Sequence, residues 1–316
     1  MRMVDEACNA RADAIKFQTF VAKEIATGSA EKADYQKSGK NESQLEMLRR
    51  LELSEGDFKT LKRYCGEKGI IFLSTPFDFH SVDLLERIGV AAYKVSSGDL
   101  NNYPFLEYLA KKDKPVILST GMSNMEEIGR AVDIFKDKTE GDVILLQCTS
   151  AYPAPFKDVN LRAMETLSRR FKLPVGFSDH TVGIEASIAA VALGACIIEK
   201  HFTLDKKMAG PDHKASLEPE ELRALVSSAR NVESALGSGL KGVAASEVQI
   251  RGVARKRIVA KADIAKGEAL TIGKVAFKRS GEGLDPGSLQ DILGQRLSVA
   301  VSKDQPLMKK YFEKKK

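Results

Sequence analysis

The sequence predicts an α/β fold of the TIM-barrel, or (β/α)8, class with seven of its eight strands present, followed by a small C-terminal domain. Three observations support this prediction. Short β-branched runs alternate with helical segments through most of the chain, each run ends in small polar residues, and the pattern then changes to short strands and turns. Parallel strands with polar carboxyl ends are typical of barrel enzymes, whose active sites lie on that rim.

The strands are predicted where short apolar, β-branched runs stand between glycine, proline or polar clusters. They cover residues 14–17, 70–73, 91–95, 115–118, 143–147, 174–177 and 195–199. The chain opens with a helical segment, so the strand missing from a set of eight would be the N-terminal one. Its absence would leave the strands at 14–17 and 195–199 with unpaired backbone edges, which favour aggregation.

A change of pattern near residue 237 indicates a domain boundary. Residues 220–236 form an amphipathic helix, and the glycine-rich segment 237–242 follows it. That segment matches GxGxxG, but it follows a helix instead of a strand, so a dinucleotide site is not predicted. The predicted divisions are a barrel domain at 1–240, a linker at 241–251 and a small mixed domain at 252–316.

Composition and charge narrow the functional classes. The chain has 316 residues and a formal net charge of +6, yet its basic residues form no stripe interleaved with aromatic ones, so no nucleic-acid partner is predicted. No apolar segment has the length and purity of a membrane span, and no secretion signal opens the sequence, so no membrane partner is predicted. The four cysteines form no CxxC pair, which favours reduced thiols and a cytoplasmic location.

Two histidines close adjacent predicted strands. His180 follows Phe-Ser-Asp, and His201 follows Glu-Lys after the next apolar run. Both imidazoles should therefore lie on the catalytic rim, where neutral histidine is a common ligand for divalent metals. A two-histidine metal site is one interpretation, and two unrelated polar residues in strand-to-helix loops is the other.

Lysines and hydroxyls at the other strand ends predict an anion site. A lysine that points into a barrel mouth loses hydration unless an anion meets it, so two such lysines near several hydroxyls indicate a phosphate or carboxylate pocket. The residues are Lys16, Thr75, Lys94, Ser97, Ser119 and Ser178.

Two further polar residues are candidates for chemistry. Asp99 follows Ser-Ser-Gly and is the best-placed carboxylate for proton transfer, with a helix cap as the alternative. His213, beside Asp212, is a candidate substrate contact, whereas His80 is expected only to begin a helix.

An ordered set of motifs resembles the bacterial and archaeal sialic acid (N-acetylneuraminate) synthases. The likeness runs the whole length and includes a C-terminal domain similar to the antifreeze-like SAF fold. The motifs are KFQTF at 16–20, STPFD at 74–78, YKVSSGD at 93–99, NNYP at 101–104, LSTGM at 118–122, CTSAYP at 148–153, FSDHT at 177–181, EKHFT at 199–203 and GPDH at 210–213.

The resemblance implies a transferase that condenses phosphoenolpyruvate with the open-chain aldehyde of N-acetylmannosamine, giving N-acetylneuraminate and phosphate. It places Mn²⁺, or alternatively Mg²⁺ or Co²⁺, on His180 and His201, which with Lys94 and Asp99 form the implied catalytic set. The six residues of the anion site fall where the family binds phosphoenolpyruvate. The sugar would contact Asn41, Tyr152, Asp212 and Arg279, with Arg279 reaching the partner's site in a domain-swapped homodimer.

The chain also departs from the family pattern. It lacks the family's opening Ala-Glu-x-Gly-x-Asn-His strand, whose glutamate belongs to the active site, so low or no synthase activity is expected. Asp99 stands where some relatives have glutamate, and Ser280 where many have proline. The alternatives are a legionaminate, pseudaminate or spore-coat sugar synthase, or an inactive truncated remnant that binds sugar; the GPDH motif favours the neuraminate and legionaminate types.

Overall fold

The computed structural model describes residues 1–32, 42–138 and 142–313. The chain forms two compact units, Met1–Gly237 and Ser238–Lys316. Part of the predicted linker is helical, since residues 245–254 form a 3₁₀ turn and a short α-helix. The domain boundaries given above stay predictions.

Seven strands form the parallel barrel wall of the first unit, and each corresponds to one of the predicted runs. They are β1 (Ala14–Thr19), β2 (Ile71–Pro76), β3 (Tyr93–Val95), β4 (Val116–Ser119), β5 (Val143–Cys148), β6 (Val175–Asp179) and β7 (Ile198–Lys200). Strand β1 pairs with β2, and β3 to β7 pair in sequence order. The prediction of a barrel-type α/β fold is confirmed. Within the described residues, β1, β2, β3 and β7 each have one hydrogen-bonded neighbour, because no ladder joins β2 to β3.

Helices separate the strands and cover the outside of the wall. They are α1 (Arg2–Asn9), α2 (Ala22–Ile25), α3 (Gln44–Leu51), α4 (Glu55–Lys68), α5 (Phe79–Ile88), α6 (Tyr103–Ala110), α7 (Met125–Lys138), α8 (Ala163–Phe171), α9 (Glu185–Ala192) and α10 (Pro219–Leu236). His80 lies in the first turn of α5, as its sequence context predicts.

The start of α5 shows how capping arranges the rim. Asp78 is the N-cap residue, and its Oδ1 accepts a hydrogen bond from the Ser81 backbone at 2.7 Å. Its Oδ2 accepts one from the Val21 backbone at 2.8 Å, so the carboxylate links the ends of β1 and β2. The helix ends at Gly89, whose φ of +80° is readily adopted only by a residue without a side chain.

The hydrophobic core of the first unit lies between the sheet and the helices. Every residue of β4 is buried, as expected for a parallel strand covered on both faces. Tyr93, Phe72 and Leu118 are at most 2% exposed. Burying a side chain of this size contributes about 1.5 to 3 kcal/mol, so the core holds the strand ends, and the residues on them, in fixed positions.

The second unit is a small mixed domain. It contains α11 (Val248–Ala254), β8 (Lys256–Ala260), β9 (Val275–Arg279) and α12 (Leu289–Ile292). Strands β8 and β9 are antiparallel and place Lys256 opposite Arg279. A separate core of Ile258, Leu270 and Leu297 is completely buried.

The structure also bears on the cysteines and on membrane spans. Cys8, Cys65, Cys148 and Cys196 are all free thiols; Cys65 and Cys148 are buried, Cys8 is partly buried and Cys196 is exposed. None of the helices in the described ranges is both long enough and apolar enough to cross a membrane.

Candidate active site

Lys94 is a buried charged group on the rim. Its side chain lies at the middle of β3 and the residue is 3% exposed. The ammonium group donates to Ser119 Oγ at 2.6 Å and to the Val95 carbonyl at 2.8 Å, and it lies 3.7 Å from Glu199 Oε1. Burial holds the pKa of Lys94 below its usual value, whereas Glu199 acts in the opposite direction.

Lys16 approaches the same place from β1. Its Nζ donates to Thr75 Oγ1 at 3.4 Å and lies 3.8 Å from Glu199 Oε2. Lys16 of β1 and Lys94 of β3 both contact Glu199, so the structure brings together two lysines that are far apart in the sequence. Ser178 Oγ donates to Glu199 Oε1 at 2.9 Å. Three of the predicted hydroxyls therefore contact this group of charges: Thr75, Ser119 and Ser178.

Glu199 is the central residue that sequence reasoning missed. Burial by itself would raise the pKa of this carboxyl, but Lys16 and Lys94 lower it to about 2, so Glu199 is ionised at neutral pH. One sequence signal could have identified it. Glu199 and His201 stand two residues apart at the end of a strand, and side chains at that spacing lie on the same face.

Ser97 is held by the loop after β4. Its Oγ accepts a hydrogen bond from the Gly121 backbone at 3.0 Å. A Cβ atom at position 121 would lie 2.9 Å from that same oxygen, so only glycine permits this approach. The predicted anion-site serine is thus fixed at the junction of the β3 and β4 loops.

The two histidines lie side by side. Their ring centroids are 5.3 Å apart, and the Tyr152 ring lies 4.2 Å from His180 and 5.6 Å from His201. His180 Nδ1 lies 2.8 Å from the Thr149 carbonyl. A carbonyl only accepts, so Nδ1 carries the hydrogen and Nε2 keeps its lone pair for another partner.

The protonation of the two imidazoles differs. Burial, with His180 and Lys16 nearby, lowers the pKa of His201 to about 3, so this ring is neutral at physiological pH. Burial also opposes protonation of His180, but Cys148, whose sulfur lies 3.8 Å from Nδ1, and the Thr149 carbonyl outweigh it and raise the pKa. His201 can therefore act as a ligand directly, and His180 can do so in its neutral form, because metals bind the deprotonated nitrogen.

The histidine pair fits a divalent ion with open coordination positions. Metal–nitrogen distances of about 2.0 to 2.1 Å allow two imidazoles at this separation to share one ion. The Thr149 carbonyl on the far nitrogen of His180 is the usual support for such a ligand. Across the part of the chain that the structure describes, no group of three or more His, Cys, Asp or Glu side chains forms a metal site. The remaining positions would belong to substrate or water.

Two of the four predicted sugar contacts, Asp212 and Tyr152, lie beside the histidine pair. Asp212 Oδ2 lies 3.9 Å from His201 Nδ1, and burial raises the pKa of Asp212 despite nearby positive groups. Tyr152 packs against both histidines, as described above. Asn41 lies outside the described residues, and Arg279 ends β9 in the second unit.

His213 has a structural contact of its own. Its Nδ1 lies 2.6 Å from Thr203 Oγ1. This contact joins two residues of the segment that follows β7. A contact between His213 and substrate stays a prediction.

Asp99 has the protonation behaviour expected of an acid–base group. It ends a 3₁₀ turn at Ser97–Asp99, directly after β3. Burial raises its pKa to about 6; Asn102 acts against this rise and Asp78 adds to it. The alternative role as a helix cap is not supported, because the N-cap of α6 is Asn102.

Two family models match most of the chain. The NeuB family model matches residues 3–241, and the SAF domain model matches residues 255–313. An N,N'-diacetyllegionaminic acid synthase of Campylobacter jejuni is 45% identical over 96% of this chain and 92% of that protein. The human N-acetylneuraminate-9-phosphate synthase is 41% identical over 83% of this chain and 74% of that protein.

A solved structure shares both sequence and fold. It is the N-acetylneuraminic acid (sialic acid) synthetase of Leptospira borgpetersenii in complex with citrate, 39% identical, with a TM-score of 0.70 over 79% of this chain and 84% of that one. The resemblance read from the motifs is therefore confirmed. The chain belongs to the NeuB family of sialic-acid-type synthases and ends in a SAF domain.

Proposed function

We propose that this protein condenses phosphoenolpyruvate with a diacetamido six-carbon sugar to form N,N'-diacetyllegionaminic acid and phosphate. The expectation from the motifs alone was N-acetylmannosamine as acceptor, with legionaminate synthesis as an alternative. The alternative is now preferred, since relatives at 45% and 44% identity are N,N'-diacetyllegionaminic acid synthases. N-acetylmannosamine stays the second candidate because of the 39% identity to a sialic acid synthetase.

The observation that carries the proposal is the meeting of an anion site and a histidine pair on one rim. Lys16 and Lys94 are the cations that would bind the carboxylate or phosphate of phosphoenolpyruvate, with hydroxyl donors beside them. His201 of the histidine pair stands two residues beyond Glu199, with which both lysines form ion pairs. The enolpyruvate and the acceptor aldehyde would thus be held next to each other, which lowers the entropic cost of joining them.

The reaction forms one carbon–carbon bond and releases phosphate. The methylene carbon of phosphoenolpyruvate bonds to the aldehyde carbon, water adds at the carbon that carries the phosphate, and phosphate leaves to give the keto acid. A divalent ion on His180 and His201 would act as a Lewis acid toward the aldehyde oxygen. Asp99, with its pKa of about 6, can hold or release a proton near neutral pH.

An assay with both acceptors tests the proposed function. Purified protein, Mn²⁺ and phosphoenolpyruvate should release phosphate in step with keto acid, with kcat/KM at least about tenfold higher for the diacetamido sugar, the size of preference that pocket contacts can supply. His201→Ala is the inactive control. Equal or better turnover of N-acetylmannosamine would contradict the acceptor assignment. No phosphate release with either sugar would favour the sugar-binding remnant.

We further infer that the functional unit is a homodimer in which Arg279 of one chain serves the other chain's barrel. Heterodimers formed by co-expression of Arg279→Ala with His201→Ala should then recover up to about half of wild-type activity, because one of their two composite sites is intact. Activity is measured on heterodimers isolated with two affinity tags. Isolated heterodimers as inactive as either parent would show that each SAF domain serves its own barrel.

A further inference from the structure

An ion pair lies directly behind the histidine pair. Asp179 ends β6 and Lys200 ends β7, each one residue before a histidine, and the two are register partners across the parallel strands. Lys200 Nζ lies 2.9 Å from Asp179 Oδ2, and the two side chains are 2% and 0% exposed. Both charged groups are therefore buried.

The pair is also held by hydrogen bonds from neighbouring elements. Asp179 Oδ1 accepts from the Thr181 backbone at 2.8 Å, and Oδ2 accepts from Ser187 Oγ of α9 at 2.6 Å. Lys200 Nζ donates to the Thr181 carbonyl at 2.6 Å. The carboxylate and ammonium groups thus connect the ends of two strands, the loop that follows β6 and one helix.

Side-chain alternation explains the arrangement around the histidines. Asp179 turns outward to α9, whereas His180 lies against Tyr152 and the Thr149 carbonyl. The ion pair therefore does not occupy the site, but it supports the backbone from which both imidazoles project. Strand β7 is three residues long and pairs, in the described residues, with β6 alone, so few other bonds hold its end.

We propose that Asp179 and Lys200 are positioning residues that hold His180 and His201 at the separation needed to share one divalent ion. This inference rests on the metal site of the proposed function. Buried ion pairs often add little net stability, because desolvation offsets the attraction. Their value here lies in geometry, since metal–nitrogen bond lengths vary little and a displaced ligand weakens the site.

Mn²⁺ binding to the substrate-free protein tests the inference without recourse to activity. Lys200→Met should weaken Mn²⁺ affinity about 10- to 100-fold, the effect typical of residues that support metal ligands, whereas Lys200→Arg should stay within a few-fold of wild type. Free Mn²⁺ is counted by electron paramagnetic resonance during titration. Lys112→Met is the control, because it removes another ion pair of the same unit, formed 2.7 Å from Asp83 of α5 and not on the strands that carry the histidines.

A double variant protects the test against misfolding. Asp179→Leu with Lys200→Met leaves no unpaired buried charge, so it should fold, as far-ultraviolet circular dichroism would verify, while still binding Mn²⁺ weakly. Wild-type affinity in either folded variant overturns the positioning role alone. A wild-type chain that binds no Mn²⁺ overturns the metal site of the proposed function, and this inference with it.

Discussion

Replacement of Glu199 by glutamine is expected to destabilise the barrel unit by about 3 kcal/mol, because it leaves buried positive charge without its carboxylate. Lys94 is 3% exposed and lies 3.7 Å from Glu199, and Lys16 approaches the other carboxylate oxygen at 3.8 Å. Glutamine keeps the size of the side chain but removes its charge. The effect therefore reports electrostatics and not packing.

Differential scanning calorimetry measures this effect on the transition of the barrel unit. The double variant Lys94→Met with Glu199→Gln should recover much of the lost stability, since the buried ammonium is gone. Inorganic phosphate should raise the Tm of Glu199→Gln more than that of the wild type, because it can replace the missing carboxylate. An unchanged Tm in Glu199→Gln would mean that the lysines do not depend on this residue.

Replacement of Asp99 by asparagine is expected to stabilise the protein at pH 8 by on the order of 2 kcal/mol and to lower kcat by about 10²-fold or more. The folded-state pKa of about 6 lies above the ordinary aspartate pKa of 3.8. A carboxyl whose pKa rises on folding contributes stability at pH below 3.8, and that contribution is lost as pH rises through 6. Asparagine avoids this loss.

The stability gain of Asp99→Asn should consequently disappear between pH 8 and pH 4, as measured by thermal unfolding at a series of pH values. Asp99→Glu is the matched control, since it keeps a titrating carboxyl and should follow the pH dependence of the wild type. A stability difference between Asp99→Asn and wild type that is the same at pH 4 and pH 8 would contradict the raised pKa. Full activity of Asp99→Asn would remove Asp99 from the proton transfer.

The pattern of neighbouring residues was enough to predict the barrel strands, the polar residues at their carboxyl ends and the position of two histidines on that rim. Strand β5 is an apolar run bounded by polar residues, and such a run is recognisable without knowledge of its neighbours. His180 and His201 were identifiable because each directly follows such a run. The motifs added the family, which the comparisons confirm. Sequence alone could not decide between acceptors that differ in a few polar groups.

The tertiary structure alone decided which charges meet. Glu199 reads as an ordinary strand-end carboxylate until the barrel brings Lys16 and Lys94 to it, and that requires β1, β3 and β7 to converge. The Asp179–Lys200 pair depends in the same way on the register between β6 and β7. The physical reason is that apolar periodicity is a property of neighbouring residues, whereas burial, pairing and pKa depend on distances set by the packed fold.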